Sequence, residues 1–472
     1  MNVYKTYIEE YNKFPKINLK ENSQFFTPIE IAQKMMEDIK FEKKEEIFIL
    51  DPCCGYSILA IAFLEKLFNS KIAIKKINID LIDIDNECLI ISKKILKTIY
   101  KEKITINFYN KDFLLNNSTK KRYDYIIANP PFKKIKATEK KKYSNNLLQY
   151  INGQANIYPL FIISSLKLLN KNGTLILISP KNYLSGKYTE PLREFIFQNF
   201  SLVKIHTFDE RKKIFENIIQ EVCISHIKNI CLNDIIISFN GNEKFSTNIT
   251  NILIKNKSNA ILTPRIKEEI SLINKFSIFK GDKKFFKFRP GQVVQFRNKD
   301  NLSSDYFKNI ENGIPLLVPR HINQNFINYI KPNKKNDCIT IIYNEKVKNI
   351  LIRNKKYIII KKNVEKQETL LLKTAIYTGF FPTKFIGIDN NLGYLEFDDN
   401  IDENIFYGTY CILNSQQFND YYKMINGSHT INSYDFENLN FPDLKTTKKI
   451  GSDFLKVNLD ISLCDKILNK YI

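Results

Sequence analysis

No apolar stretch of the 472-residue sequence approaches the roughly 20 residues that a membrane-spanning helix needs. Residues 1–10 carry no apolar signal core, so export is not expected and a cytoplasmic location is. The eight cysteines (53, 54, 88, 223, 231, 338, 411 and 464) form no CxxC frame, which excludes a disulfide scaffold and leaves reduced thiols. The four histidines, His206, His226, His321 and His429, lack metal-ligand spacing, so no metal site is expected. A G-x-G-x-x-G run is also missing, which argues against a dinucleotide dehydrogenase and frees any cofactor from carrying phosphate. Arginine is scarce among the 72 basic residues. Arg122, Arg193 and Arg211 stand in the first half, while Arg265, Arg289, Arg297, Arg320 and Arg353 fall in the second.

What is abundant is lysine. A formal net charge of +22 makes a polyanion the natural partner, through phosphate neutralisation and long-range steering. Part of that charge reflects a composition rich in Lys, Asn and Ile, and arginine is the more selective sign because its planar fork suits phosphates and guanine edges. A hydrophobic content of 43% is ample for the cores of two or three domains.

Between residues 45 and 230 short apolar runs alternate with helix-length amphipathic stretches, the pattern of a mainly parallel, doubly wound α/β sheet. Strands are expected at 47–51, 77–83, 104–108, 123–129, 174–179, 202–208 and 221–227, and helices at 57–68, 86–100, 157–169 and 190–200. Residues 236–262 turn polar and Asn-rich and read as a linker between domains 1–235 and 263–472. The second domain, with a helix near 265–276 and no regular crossovers, is expected to be α+β.

Chemistry concentrates at successive strand ends. Asp51-Pro52-Cys53-Cys54-Gly55-Tyr56-Ser57 lies where the first strand meets the first helix, in the crevice where such sheets bind ligands. Asp83, followed by Ile84, ends the second strand, where a carboxylate can accept both hydroxyl protons of a ribose. Asp112-Phe113 follows the third strand and can offer an acceptor to an adenine amino group and an aromatic wall to its ring. Asn129-Pro130-Pro131-Phe132 follows the fourth. Its prolines withdraw two backbone donors, so the carbonyls of Asn129 and Pro130, with the Asn129 side-chain oxygen, can hold a planar amino group while Phe132 covers its ring. Each acid alone could cap a helix, and Asn-Pro alone is common loop punctuation; four such sites in succession set them apart.

These motifs resemble the S-adenosylmethionine-dependent amino-methyltransferases, specifically the gamma-class, TaqI-like DNA adenine methyltransferases. Gln24-Phe25-Phe26-Thr27-Pro28 is similar to that family's F-x-T-P segment, and Asp51, Pro52, Cys53 and Gly55 to its D-P-A-C-G-S-G motif, with Ser57 standing where the family has a glycine. The resemblance implies a Rossmann-like methyltransferase sheet, with a cofactor site made by Phe26, Thr27, Pro28, Asp51, Pro52, Cys53, Gly55, Asp83, Ile84, Asp112, Phe113, Asn129, Pro131 and Phe161. Thr27 and its neighbours would close over the cofactor's methionine end. Asn156-Ile157-Tyr158 with Phe161 resembles the helix completing the pocket, and Ile214-Phe215-Glu216 the element that packs a Phe on the target base. Arg289-Pro-Gly291, Pro315 to Pro319 and Tyr410 to Asn432 are similar to target-recognition domains of the restriction-modification methylase branch.

The expectation is therefore methyl transfer from S-adenosylmethionine to the 6-amino nitrogen of a flipped adenine in double-stranded DNA, by a monomer. Asn129, Pro130, Pro131 and Phe132 would be catalytic, and Phe132 and Phe215 would sandwich the base. Arg289, Arg297, Arg320, His321, Arg353, Lys361 and Lys362 are candidates for phosphate or base-edge contacts, each equally readable as a solvated surface charge. An RNA adenine methyltransferase, a protein glutamine methyltransferase and a catalytically silent DNA-specificity module share parts of this pattern. A separately encoded restriction endonuclease is compatible with it, whereas a fused nuclease is disfavoured because no separate carboxylate and lysine cluster stands out.

Overall fold

The computed structural model describes residues 3–13, 27–100, 104–115, 120–153, 156–208, 221–240, 242–254, 258–279, 285–323, 326–330, 338–363, 370–425 and 430–472. The chain forms two compact units, Met1–Ile270 and Ser271–Ile472.

The first unit is built on β1 (Glu46–Asp51), β2 (Lys76–Asp83), β3 (Ile104–Asn110), β4 (Tyr123–Ala128), β5 (Leu169–Pro180), β6 (Ser201–Thr207), β7 (Val222–Lys228), β8 (Asp234–Phe239) and β9 (Phe245–Asn248). They form one sheet in the order β3-β2-β1-β4-β5-β7-β6-β8-β9. Strands β1 to β5 are mutually parallel, and β7 runs antiparallel to both β5 and β6. Ile49, Leu50, Ile79, Leu81, Ile126 and Ile127 are buried, as expected of central parallel strands whose faces are covered by helices.

The helices are α1 (Val3–Tyr11), α2 (Ile29–Met36), α3 (Ile58–Asn69), α4 (Asn86–Ile99), the one-turn α5 (Ala137–Lys140) and α6 (Asn145–Leu148), α7 (Tyr158–Leu166) and α8 (Glu190–Asn199). Between β1 and β4 the strand order reverses, because the chain runs outward from β1 to β3 and then returns to the other side of β1. That reversal opens a crevice at the carboxyl ends of these strands. This is the doubly wound α/β architecture that the alternation of elements predicts.

Residues 236–262, expected to be a linker, instead extend the sheet. β8 pairs parallel to β6 and β9 antiparallel to β8, and β10 (Leu253–Ile254) pairs with β11 (Ala260–Ile261). The physical reason is that the isoleucines at 235 and 237 alternate inward and are fully covered, so the Asn-rich composition conceals a period of two. Buried Arg193 reinforces the join by donating from Nε and Nη2 to the Ser258 carbonyl at 2.9 and 2.7 Å.

The second unit is α+β. Four strands, β12 (Phe286–Pro290), β22 (Leu392–Phe397), β19 (Tyr357–Lys361) and β20 (Thr374–Tyr377), make an antiparallel sheet in that order. Five more, β13 (Leu302–Ser303), β17 (Thr340–Ile342), β14 (Gly313–Leu317), β21 (Phe385–Ile388) and β18 (Leu351–Arg353), make a mixed sheet. The pair β15 (Ile322–Asn323) and β16 (Phe326–Ile327) stands apart. Helices gather at the C-terminal end, the longest of them at Glu403–Asn414 and Leu444–Lys456.

A buried polar cluster ties α2 to the strands. His226 Nε2 donates to the Met35 carbonyl at 2.8 Å, and Asp38 pairs with Lys204 at 2.6 Å and Lys244 at 2.7 Å. Burial, then the Lys204 charge, pushes His226 from 6.5 down to about 3, and burial pushes His206 down to about 4. These imidazoles are neutral when folded, whereas the unfolded chain protonates them below about pH 6.5. Their contribution is thus fully present above that pH and is lost as pH falls toward 3. The urea midpoint should drop between pH 7.5 and pH 5, and His226→Gln should flatten that slope; equal slopes for variant and wild type would refute the assignment.

Candidate active site

The loop leaving β1 is fastened to the end of β2. Cys53 N–H donates to Asp51 Oδ1 at 3.2 Å, Cys54 N–H to the Ile82 carbonyl at 2.9 Å, and Gly55 N–H to Asp83 Oδ2 at 2.8 Å. The other Asp83 oxygen accepts from Asp85 N–H at 2.9 Å. One carboxylate therefore fixes both turns. Gly55 stands at φ +50°, in the left-handed region that favours glycine. Asp51 lies fully buried beneath the loop; burial, with Asp83 nearby, raises its carboxyl well above the ordinary range. Its Oδ2 has no hydrogen-bond partner among the described residues. Burial also raises Asp83, against the backbone donors that favour its charged form.

At the third strand end Asp112 Oδ1 accepts from Leu114 N–H at 2.8 Å, which turns the chain and buries Phe113. Its ring stacks on Phe161 of α7 with centroids 5.6 Å apart. At the fourth, the ladder stops at Ala128, and Asn129 Nδ2 donates to Thr27 Oγ1 at 3.0 Å. That bond uses one of the two amide N–H donors and sets which end of the amide faces Thr27. Phe132 is half-buried, packs on the core and meets Tyr158 edge-on at 6.3 Å.

These strand ends share one cleft of about 920 Å³. It is lined by Pro52, Cys53 and Gly55 from the first loop, Asp83 and Ile84 from the second, Asp112 and Phe113 from the third, and Asn129, Pro130 and Pro131 from the fourth, with Phe161 from α7. Asp51 and Phe132 do not line it, and Thr27 and Pro28 stand behind it, Pro28 as the N-terminal cap of α2. Phe26 and Phe215 lie outside the described residues.

Sequence reasoning passed over another part of the wall. Asp85, Glu87, Lys111, Glu139, Lys142 and Tyr143 also face the cleft. The last three belong to a charged excursion between β4 and α7 that has no apolar period to mark it, and a bridge from Glu139 to Lys133 at 3.1 Å folds it inward. Asp83, Asp85, Glu87, Asp112 and Glu139 outnumber Lys111, Lys133 and Lys142, so the lining favours a cation. Burial raises the Cys53 thiol well above its usual value, with Asp51 and Asp83 adding to the effect, so it is protonated at neutral pH.

Ser57, the departure from the glycine pattern, adopts φ +62° and ψ +25°. Its buried hydroxyl shares a hydrogen bond with Ser92 on α4 and faces away from the cleft, and Tyr56 is buried edge-on to Tyr11.

In the second unit Arg289, Arg297 and Arg353 are exposed. Arg289 meets Glu396 at 3.1 Å, Arg297 lies 5.5 Å from the ring of Phe296, and Arg353 reaches Asp399 only at 4.0 Å. His321 corrects the sequence expectation. It is fully buried, accepts the Val318 N–H at Nδ1 and is pushed down to about 4 by burial, so it presents nothing to a polyanion. Lys362 is also spent internally, on the Asn390 carbonyl at 2.9 Å, while Arg320 and Lys361 are half-buried.

Residues 9–215 match the model of the Eco57I restriction-modification methylase family. The Type II methyltransferase M.BsuBI of Bacillus subtilis is 26% identical over 96% of this chain and 95% of its own length. M.PstI of Providencia stuartii is 27% identical over 76% of this chain and 72% of its own. A nuclease-deletion mutant of the Type ISP restriction-modification enzyme LlaGI, solved in complex with a DNA substrate mimic, has a TM-score of 0.52 at 13% identity. That match covers 97% of this chain and 56% of the other, and the likeness is one of fold.

Ser57→Gly removes a left-handed cost of about 1–2 kcal/mol together with a buried hydrogen bond worth about 1 kcal/mol, so the two should nearly cancel. The melting temperature is expected to move by no more than about 5 °C. Because the side chain faces Ser92, calorimetric affinity for S-adenosylhomocysteine should be unchanged; a shift of about tenfold would place Ser57 in contact with the ligand.

Proposed function

We propose that this chain, whose residues 9–215 match the model of the Eco57I restriction-modification methylase family, transfers a methyl group from S-adenosylmethionine to the 6-amino nitrogen of an adenine flipped out of double-stranded DNA. The observation that carries this reading is the single cleft in which Asp83, Asp112 and Phe113 stand together with Asn129, Pro130 and Pro131.

The residues fit the cofactor. Asp83 is held rigidly by two amides and retains lone pairs for ribose hydroxyls; Asp112 can accept from an adenine amine, between the walls made by Ile84, Phe113 and Phe161. The acid excess suits a sulfonium and an ammonium. When bound, S-adenosylmethionine supplies a methyl carbon activated by a sulfonium, with a neutral thioether as its departing group.

The chain's own work is then positioning. Asn129 Oδ1 and the Pro130 carbonyl accept the two protons of the target amine, which turns nitrogen lone-pair density out of ring conjugation and toward the cleft. Phe132 stacks on the extruded base and helps to offset the few kcal/mol of unstacking. The surplus proton passes to water, since neither an amide nor a carbonyl oxygen is a base at neutral pH. Alignment supplies most of the rate through proximity. Transfer to nitrogen needs no attacking thiolate, whereas transfer to a ring carbon would. The second unit serves target recognition, with Arg289, Arg297 and Arg353 as its exposed guanidinium contacts. The resulting mark serves restriction-modification, beside a separately encoded endonuclease, or epigenetic signalling.

Modification-sensitive sequencing of a plasmid carrying the gene should find N6-methyladenine at one short motif, lost in Asn129→Ala. Modified cytosine at that motif, or methylation of RNA or of a protein amide with DNA untouched, would overturn the proposal.

A further inference from the structure

Asn129 follows the last residue of β4, and Pro130 and Pro131, which come next, can donate no backbone hydrogen bond. The Asn129 amide is instead met from 102 positions upstream, where Thr27 Oγ1 accepts from Nδ2 at 3.0 Å. Thr27 is buried at 8% exposure, and the segment on its C-terminal side is anchored. The Pro28 carbonyl accepts from Ile31 and Ala32 at 3.1 and 2.9 Å to open α2. α2 is itself pinned by His226 on the Met35 carbonyl, with Ala32, Met35 and Met36 in the core, and the Asp38–Lys204 pair fixes the turn beyond it. The hydroxyl thus sits on a fixed support rather than on a free loop.

We infer that Thr27 is a positioning residue for methyl transfer: it holds the Asn129 amide just beyond β4 by its nitrogen end, so that the oxygen is the end that meets the target amine. This rests on the adenine-amine reading and deepens it. It differs from the role that family resemblance implies for Thr27, closure over the methionine end of the cofactor, because it predicts a defect in the chemical step with cofactor binding intact.

Thr27→Val preserves the branched shape without the hydroxyl, and Thr27→Ser preserves the hydroxyl without the branch. Two measurements separate the roles: the single-turnover methylation rate on duplex DNA carrying the target motif, and calorimetric affinity for S-adenosylhomocysteine. Thr27→Val is expected to lose roughly 10- to 100-fold in rate, the scale of a misplaced reacting group, with affinity unchanged, and Thr27→Ser to restore most of the rate. An undiminished rate in Thr27→Val overturns the inference, as does a loss of affinity that matches the loss of rate, or a Thr27→Ser as slow as Thr27→Val. If Thr27→Val does not fold, Thr27→Ala is judged by the same two readings. A normal rate in Asn129→Ala would instead overturn the adenine-amine reading itself, which failure of the Thr27 variants alone would leave standing.

Discussion

Two prolines at the end of a central strand constrain most of what this molecule can do. β4 lies between β1 and β5, where every backbone donor of a continuing strand would be needed for the ladder. Pro130 and Pro131 make continuation impossible, so the ladder closes at Ala128 and the chain must leave the sheet at the point where the strand order reverses. An asparagine in that position stays beside the ends of three other strands. The excursion from Lys133 to Tyr143 then has to fold back as a wall of the same cleft before α7 can begin.

The opposite wall depends on a carboxylate with a structural role. Asp83 binds one amide on each of two turns, so the loop from β1 and the turn after β2 move as a single piece. Burial raises both Asp83 and Asp51, with the Asp83 charge adding to the shift of Asp51, a cost that backbone donors only partly offset. An arrangement of that kind is poorly explained by stability alone, since apolar groups in place of desolvated acids would be less costly. It is well explained if the acids wait for donors from a ligand. Ser57 shows the loop's tolerance: a left-handed φ that favours glycine is held by serine because Ser92 takes its hydroxyl.

The parallel sheet was legible because its strands are buried on both faces and appear as isoleucine-rich runs, and its helices because their apolar residues recur at helical spacing. Strand-end acids were legible because a turn out of a sheet leaves few residues with freedom to point elsewhere. What composition hid was pairing. Residues 236–262 look like a linker until the inward isoleucines at 235 and 237 are seen against β6, and His321 looks like a surface base until Val318 and the fold around it are in view. The Thr27–Asn129 bond spans 102 positions, a separation at which sequence carries no local signal. Side chains such as Glu139 and Tyr143 were invisible for the opposite reason: their role depends on where a charged excursion folds, and charge alone does not say where that is.

Charge also sorts the two ligands. The chain as a whole carries +22, while the lining of the cleft holds five carboxylates against three lysines. With a screening length near 8 Å at physiological ionic strength, the surface field and the cleft field act largely independently. A polyanion is drawn to the lysine-rich exterior and repelled from the acidic interior, whereas a small cationic cofactor experiences the reverse. On the proposed adenine-amine reading, a neutral base swung out of the stack is a part of DNA that such a cleft does not oppose. Extrusion as proposed would then do more than expose an amine, because it moves the reacting group away from the phosphates whose charge keeps the rest of the strand outside.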